Sequence, residues 1–258
     1  MSGAEARAGW ARSRHNPRLV MTIGLYSSAS TWAFNVVREL MIAQHGEARV
    51  CALFSDVVAT VLENRQVLGR YTVWKMHFGE PAWDVFAQLA DPTILLTVRD
   101  PRDAILSLVN RFNTPLEAAA HAVARCCNRA LQCAHAGYPV CATRTVFFAD
   151  PGTLGTIAGY IGTALDTDAR ARIFARYSTD AVRTFATQVE ALPAARVKGD
   201  PASDLYDEVT QIHRGHIGDG LVGKWRRQLT AGQQQAITAR FRTVPAAVRL
   251  SLKQRPPA

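Results

Sequence analysis

Apolar and β-branched residues along the chain fall into short strand-like runs separated by stretches with helical spacing. The strand-like runs lie at residues 18–25, 50–54, 71–77, 93–98 and 145–148. Apolar residues that recur every three or four positions predict helices at 30–40, 57–68, 82–89, from 101 onwards, and at 115–136, 151–161 and 231–242, with one or two more helices in 166–192. Strands that alternate with helices predict an α/β fold, a single domain of three layers with a central parallel β-sheet flanked by helices. Ligands of such sheets bind at the carboxyl ends of the strands.

Small and hydroxyl-bearing residues fill the turn between the first strand and the first helix. Backbone N–H groups at the start of a helix bind phosphate readily, and nearby hydroxyl groups add further donors. The sequence therefore predicts a P-loop-like phosphate-binding turn, whose expected residues are Ser27, Ser28, Ala29, Ser30 and Thr31. The turn alone leaves an ordinary helix cap open as the alternative.

Basic side chains stand at the ends of two other predicted strands. Lys75 and His77 are two positions apart, so their side chains leave the third strand on the same face. Arg99 ends the fourth strand, beside a strong Asp-Pro helix start, and Ser107 lies two turns further along that helix. Because parallel strands end at one edge of the sheet, we expect these side chains to converge with the phosphate turn.

The composition argues against a membrane-spanning protein and for a partner that carries negative charge. The 258 residues are enough for one buried core, and no apolar run is long enough to span a membrane. The formal net charge of +9 comes almost entirely from arginine and indicates an anionic partner. Five cysteines without an apolar leader segment are expected to remain thiols in a reducing compartment, which favours the cytoplasm. No metal is expected, because Cys126 and Cys127 diverge by about 100° on a helix.

The predicted domain occupies residues 18–252, between an N-terminal tail at 1–17 and a C-terminal tail at 253–258. Residues 196–216 are rich in Gly, Asp and His and lack periodicity. They are interpreted as a long loop able to close over a site. This loop leads into a glycine-rich segment at residues 216–226.

Four segments together resemble the sulfotransferases that use 3′-phosphoadenosine 5′-phosphosulfate (PAPS). Ser30-Thr31-Trp32 is similar to the Thr-Thr-Trp that ends the family's phosphate turn, and Lys75 with His77 is similar to its lysine and histidine at a strand end. The family's second signature is matched at Arg99, Pro101, Asp103 and Ser107. Its late Gly-x-x-Gly-x-Trp-Lys/Arg segment is similar to Gly220, Gly223, Lys224, Trp225 and Arg226. The matched segments stand in the family's order.

This resemblance implies the donor, the reaction and the roles of the matched residues. Arg99 and Ser107 would hold the 3′-phosphate, Trp32 would stack on adenine, and His77 would be the general base. The implied reaction moves a sulfuryl group from PAPS to a hydroxyl or amine, without a metal, and leaves 3′-phosphoadenosine 5′-phosphate (PAP). Lys75 and the turn N–H groups would stabilise the departing phosphate. No residue identifies the acceptor, which is expected to be a small molecule or a glycan.

The chain departs from the family's pattern in two places. Ser27 stands where the family has a lysine that reaches the 5′-phosphosulfate, and Ala29 replaces the usual turn glycine. Gly218-Asp219 stands where an Arg-Lys pair is expected. We therefore expect Lys75 and the backbone N–H groups of the turn to serve the 5′ side. The residues expected to help with the 3′-phosphate are His216, Lys224 or Arg226.

Other classes of protein fit the sequence less well. A P-loop NTPase needs Gly and Lys where the chain has Ala29 and Ser30. A nucleic-acid binder is disfavoured because the arginines are dispersed and no recognition motif is present. The remaining alternative is a non-catalytic protein that binds a nucleotide or a polyanion, because the turn lysine is missing. The family's C-terminal dimer segment is not matched at Ala239 and Val248, which leaves the oligomeric state open.

Overall fold

A parallel five-stranded sheet lies at the centre of the fold. The computed structural model describes residues 16–64, 70–77, 81–142, 147–201, 204–215 and 221–241. The strands of the sheet are β1 (Asn16–Gly24), β2 (Val50–Phe54), β3 (Tyr71–Met76), β4 (Pro92–Val98) and β5 (Val140–Ala142). Their order is β2-β3-β1-β4-β5, and every pair is parallel. The predicted α/β fold is confirmed.

Helices cover both faces of this sheet. They are α1 (Ser30–His45), α2 (Val58–Glu63), α3 (Ala82–Ala90), α4 (Pro101–Phe112), α5 (Leu116–His135), α6 (Pro151–Ile161), α7 (Thr167–Arg176), α8 (Thr179–Gln188), α9 (Trp225–Gln228) and α10 (Ala231–Phe241). Short 3₁₀ turns occur at Glu47–Arg49, Phe147–Ala149 and Val189–Ala191. No helix in the described part of the chain is both long enough and apolar enough to cross a membrane.

The two sides of the sheet form separate parts of the core. Successive side chains of a strand point to opposite faces, and here both faces are apolar because both are covered. Val20, Val73 and Leu95 pack in one cluster with residues of α1, α6, α7 and α8. Met21 and Trp74 pack in another with residues of α2, α3 and α5. A third cluster joins α4 and α5 to α9 and α10. The strands are therefore apolar runs rather than alternating ones.

Strand register brings the predicted site residues to one edge of the sheet. In the pairing of β1 with β3, Thr22 lies opposite Lys75. In the pairing of β1 with β4, Gly24 lies opposite Thr97. The phosphate turn, Lys75 with His77, and Arg99 consequently follow three adjacent strands at their carboxyl ends.

The strand predicted at residues 145–148 is wrong at Phe147 and Phe148, the two of its residues that the structure describes. The fifth strand is Val140–Ala142, and Phe147–Ala149 forms a 3₁₀ turn. The Phe147 ring packs edge-on against Trp32, with 5.5 Å between ring centroids. The apolar residues at this position therefore reflect packing below the sheet edge rather than strand pairing. Residues 143–146 lie outside the described part of the chain.

The long loop predicted at residues 196–216 is also wrong, because much of it is a hairpin. Strands β6 (Val197–Asp200) and β7 (Asp204–Asp207) pair antiparallel. Arg196 donates two hydrogen bonds to Asp207, at 2.9 and 2.7 Å, and that carboxylate is fully buried. The Thr210 hydroxyl donates a third at 2.6 Å. The ion pair between Arg196 and the buried Asp207 holds the hairpin together. The segment has no apolar periodicity from which the hairpin could be predicted. Residues 202–203 and His216 lie outside the described residues.

Some predicted helix limits also change. The helix expected at 57–68 is helical at Val58–Glu63, and Asn64 after it is extended. The stretch 166–192 contains two helices, α7 and α8, separated by the N-cap Ser178. Thr114 and Glu117 have the sequence spacing of a capping box, but the cap of α5 is Pro115, with no side-chain hydrogen bond, so that motif does not form.

Candidate active site

The turn after β1 is pressed closely against the sheet. A Cβ atom at Gly24 would lie 2.3 Å from Ser30 Cβ and 2.5 Å from Thr97 Oγ1, so only glycine fits there. Ser27 and Ala29 have positive φ angles of 56° and 61°. This left-handed conformation costs roughly 1–2 kcal/mol for a residue with a Cβ atom. Such strain concentrates at ligand sites, and turns of this type direct backbone N–H groups inward.

The start of α1 offers unpaired backbone donors. Its N-cap, Ala29, makes no side-chain capping hydrogen bond, so the ordinary hydroxyl cap that the sequence left open does not form. The first intrahelical bond runs from Ala33 N–H to Ala29 O, at 3.1 Å. The four N–H groups before Ala33 have no partner within the helix. An anion at this helix start would therefore find donors already in place.

Ser28 forms hydrogen bonds within the turn. Its hydroxyl is buried, donates to Leu25 O at 2.6 Å and lies 2.7 Å from Thr97 Oγ1. Its backbone N–H also donates to Leu25 O, at 3.1 Å. Both donors of Ser28 are thus used within the protein. The place of Ser28 in the predicted phosphate-binding turn stays a prediction.

The second predicted phosphate anchor meets the first at Ser27. Arg99 Nη1 donates to Ser27 O at 2.7 Å, and Ser107 Oγ lies 2.6 Å from Ser27 Oγ. Arg99 Nη2 also lies 3.8 Å from the buried carboxylate of Asp103. Two segments that are separate in sequence therefore form one polar surface beside the phosphate turn.

The side chain of Lys75 extends from β3 to the phosphate turn. Its side chain is buried, with 4% exposed, and its ammonium donates to Thr31 Oγ1 at 2.8 Å. Burial lowers the pKa of Lys75 to about 7, and the nearby Arg111 guanidinium adds to this shift. An anion bound at the turn would stabilise the protonated ammonium.

His77 is held in one tautomer by the end of β1. Its Nδ1 lies 2.7 Å from Gly24 O, and a carbonyl only accepts, so Nδ1 carries the hydrogen. The neutral ring then has its lone pair on Nε2. Its backbone N–H donates to Asp56 Oδ1 at 2.6 Å, which fixes the chain there. Burial, followed by the Lys75 charge, lowers the pKa of His77 to about 4. His77 is therefore neutral at pH 7, the form that accepts a proton.

The late glycine-containing segment docks on the start of α4. The buried Asp103 carboxylate accepts from Gly223 N–H at 2.6 Å and from Trp225 N–H at 3.2 Å. The Arg102 guanidinium stacks on Trp225, 3.6 Å from the ring centroid. The structure thus brings the predicted residues Lys224, Trp225 and Arg226 beside the Arg99 anchor. Two other predicted residues, His216 and Gly220, lie outside the described residues.

Trp32 belongs to the core beneath the turn. Its side chain is 8% exposed and packs on Phe147. Its indole Nε1 is buried without a hydrogen-bond partner among the described residues. The stacking of Trp32 on adenine stays a prediction.

Sequence reasoning missed several polar residues around Lys75 and His77. Asp56 follows β2 at the same sheet edge, so the rule of converging strand ends could have found it. Arg111 stands four residues after Ser107, on the same face of α4. Asp204 and His213 are brought in by the hairpin and carry no local signal.

Metal-binding clusters are absent from the described residues, where no three His, Cys, Asp or Glu side chains come together to hold an ion. All five cysteines are buried free thiols. Burial raises the pKa of Cys127 and of Cys141 to about 12. These thiols therefore stay protonated and belong to the core.

Comparisons with known proteins bear on the fold. No protein-family model matches the chain, and no curated protein matches it. Mouse sulfotransferase SULT7A1 complexed with PAP superposes with a TM-score of 0.63 at 14% identity, covering 98% of this chain and 92% of that one. Retinol dehydratase superposes with a TM-score of 0.55 in its complex with retinol and PAP, and of 0.57 in its complex with androsterone and PAP. Each of these two structures is 13% identical to this chain, and the match covers 98% of this chain and 87% of the other. The chain therefore has the sulfotransferase fold.

Proposed function

We propose that the protein is a sulfotransferase that moves a sulfuryl group from PAPS to a hydroxyl or amine of an acceptor. The observation that carries this proposal is the meeting of two phosphate anchors at Ser27, to which Arg99 and Ser107 both bond. His77 is bound to the same turn through Gly24 O. A nucleotide with two phosphate groups fits such a surface, because each group finds its own donors.

The residues present fit the donor in charge and hydrogen bonding. Arg99 and Ser107 would hold the 3′-phosphate through a guanidinium and a hydroxyl. Thr31, Lys75 and the N–H groups at the start of α1 would hold the 5′ side. Bound there, PAPS supplies an activated sulfuryl group with a phosphate as its leaving group. The missing turn lysine at Ser27 is offset by Lys75, which reaches Thr31.

The proton in this reaction is handled by His77. Its Nε2 accepts the acceptor's proton as the acceptor oxygen bonds to sulfur and the bond from sulfur to the 5′-phosphate oxygen breaks. The electron pair of that bond leaves with the phosphate, whose growing charge Lys75 and the turn N–H groups stabilise. The Nδ1 bond to Gly24 O keeps the hydrogen on Nδ1, so that Nε2 is free to accept the proton when transfer begins.

Nucleotide binding and transfer test the proposal together. We expect PAP to raise the melting temperature of the protein and ATP with magnesium to leave it unchanged. Radiolabelled PAPS should then pass its sulfate to a member of a panel of phenols, sterols and glycans. Equal stabilisation by ATP with magnesium, or no response to PAP, would contradict the proposal.

A non-catalytic nucleotide-binding protein is the second candidate. It is favoured by Ser27, whose hydroxyl bonds to Ser107 in a place where the family has a lysine. Stabilisation by PAP without sulfate transfer to any member of the panel would support this candidate.

Proton uptake on PAP binding is a further expected outcome. The pKa of Lys75 is about 7 in the free protein, and a bound anion raises it. At a pH between the pKa of Lys75 in the free protein and its pKa in the complex, binding of PAP takes up a proton. The affinity for PAP should therefore fall as the pH rises above 7, and the uptake should approach about one proton at pH 8. Calorimetry in two buffers of different ionisation enthalpy measures this. Lys75→Arg, charged throughout, should show no uptake; equal uptake in both proteins would exclude Lys75 as the source.

A further inference from the structure

A second group of ionisable side chains lies where α4 meets the β6–β7 hairpin, apart from the phosphate anchors. Arg111 Nη2 donates to Asp204 Oδ1 at 3.3 Å, and His213 Nδ1 lies 2.8 Å from Asp204 Oδ2. The Tyr206 ring packs against His213, with 4.9 Å between centroids. One carboxylate thus joins α4 to the β6–β7 hairpin. We call Arg111, Asp204 and His213 the Asp204 cluster.

The Asp204 cluster adjoins the site on the side beyond Ser107. Arg111 stands one turn after Ser107 on α4, about 6 Å further along the helix. The charge of Arg111 lowers the pKa of Lys75, and both cations lower the pKa of His213, after burial as the main cause. These pKa shifts agree with the position of Arg111 one turn beyond Ser107, whose Oγ lies 2.6 Å from Ser27 Oγ.

The hairpin is tied directly to the phosphate turn. Asn35 Nδ2 donates to Thr31 O at 2.8 Å and to Thr210 O at 2.7 Å. Thr210 in turn bonds to Asp207 at the end of β7. This chain of bonds fixes the hairpin that carries Asp204 relative to Thr31, the residue to which Lys75 donates.

Most N–H donors of the Arg111 guanidinium have no acceptor among the described residues. A guanidinium has five N–H groups, and among the described residues only one acceptor, Asp204 Oδ1, receives a hydrogen bond from it, at 3.3 Å. Its Nε is buried with no partner in the described part of the chain. Leaving a buried charged donor unpaired is costly. A carboxylate or a similar planar anion would accept from such a guanidinium.

We propose that the Asp204 cluster is the acceptor-binding part of the site and that it selects acceptors bearing an anionic group, which Arg111 receives. This inference rests on the proposed sulfotransferase function. Asp204 and His213 act as positioning residues, because Asp204 binds the Arg111 guanidinium and His213 binds Asp204. The apolar carbon skeleton of an acceptor such as retinol or androsterone would cover Arg111 and Asp204 without hydrogen bonds, at a high desolvation cost. The proposed anionic acceptors therefore differ in class from retinol and androsterone, the ligands of retinol dehydratase.

Matched acids and esters test this selection in the full-length protein saturated with PAP. The probes are para-hydroxybenzoate, meta-hydroxybenzoate and para-hydroxyphenylacetate, each compared with its methyl ester, and calorimetry measures each dissociation constant. We expect at least one acid to bind about tenfold or more tightly than its ester, as removal of a charged hydrogen bond predicts. Arg111→Met should abolish the preference, Arg111→Lys should keep part of it, and Arg183→Met, on the exposed face of α8, should keep all of it.

The outcomes separate this inference from the proposed function. A protein that does not bind PAP fails the proposed function before any probe is added. A protein that binds PAP but prefers no acid over its ester contradicts only the Asp204 cluster's role. A preference that survives Arg111→Met does the same, since it must then arise elsewhere. If Arg111→Met does not fold, Asp204→Asn replaces it, and a weaker preference with unchanged PAP affinity is expected.

Discussion

Replacing His77 by Asn is expected to lower the rate of sulfuryl transfer by about 10²- to 10⁴-fold, the usual contribution of a general base. The affinity for PAP should stay near that of the wild type. Asn keeps a side-chain N–H close to the Nδ1 position that lies 2.7 Å from Gly24 O, but it has nothing in place of Nε2. The bracing of the turn is thus preserved while the base is lost. Initial rates with radiolabelled PAPS and calorimetry with PAP measure the two quantities.

A second histidine gives the matched control. His121 is exposed on α5, so His121→Asn makes the same chemical change away from the site and should keep the wild-type rate. A wild-type rate in His77→Asn would exclude His77 as the base. A parallel loss of PAP affinity would mean that the turn itself had changed.

Replacing Arg99 by Met is expected to weaken PAP binding by about 10- to 100-fold, because hydrogen bonds to charged groups contribute about 1.5–3 kcal/mol. Binding of adenosine 5′-phosphate, which lacks the 3′-phosphate, should weaken much less. The comparison matters because Arg99 also donates to Ser27 O. Calorimetry on both nucleotides distinguishes a lost phosphate ligand from a disturbed turn.

The control for Arg99 is an arginine whose ion pair lies on the surface. Arg183 Nη1 lies 2.6 Å from Asp180, and both side chains are largely exposed. Arg183→Met should bind both nucleotides as the wild type does. Equal losses for both nucleotides in Arg99→Met would contradict its assignment to the 3′-phosphate.

The sheet could be predicted because its strands are buried on both faces. Runs such as 50–54 and 93–98 are apolar without alternation, and the structure has β2 and β4 there. The strand predicted at Phe147 and Phe148 is wrong for a different reason. Phe147 is apolar because it packs on Trp32, and an apolar run alone does not distinguish that packing from a strand.

The candidate site could be predicted only where its residues end a strand or share a helix face. The turn at Ser27, Lys75 with His77, and Arg99 follow adjacent strands, so one topological rule brings them together. Asp204 and His213 approach through a hairpin held by the ion pair of Arg196 with Asp207. An ion pair between polar residues eleven positions apart leaves no hydrophobic pattern in the sequence. This part of the site therefore needed the structure.

Asp103 makes an early helix depend on a late segment. Its carboxylate is 1% exposed, and its donors Gly223 and Trp225 come 120 and 122 positions later. During synthesis α4 leaves the ribosome long before those donors exist, so the carboxylate must meanwhile stay hydrated. A nascent chain that stops short of Gly223 therefore contains every strand of the central sheet but an unfinished candidate site. That site is expected to be completed only after Trp225 has been synthesised and has left the ribosome.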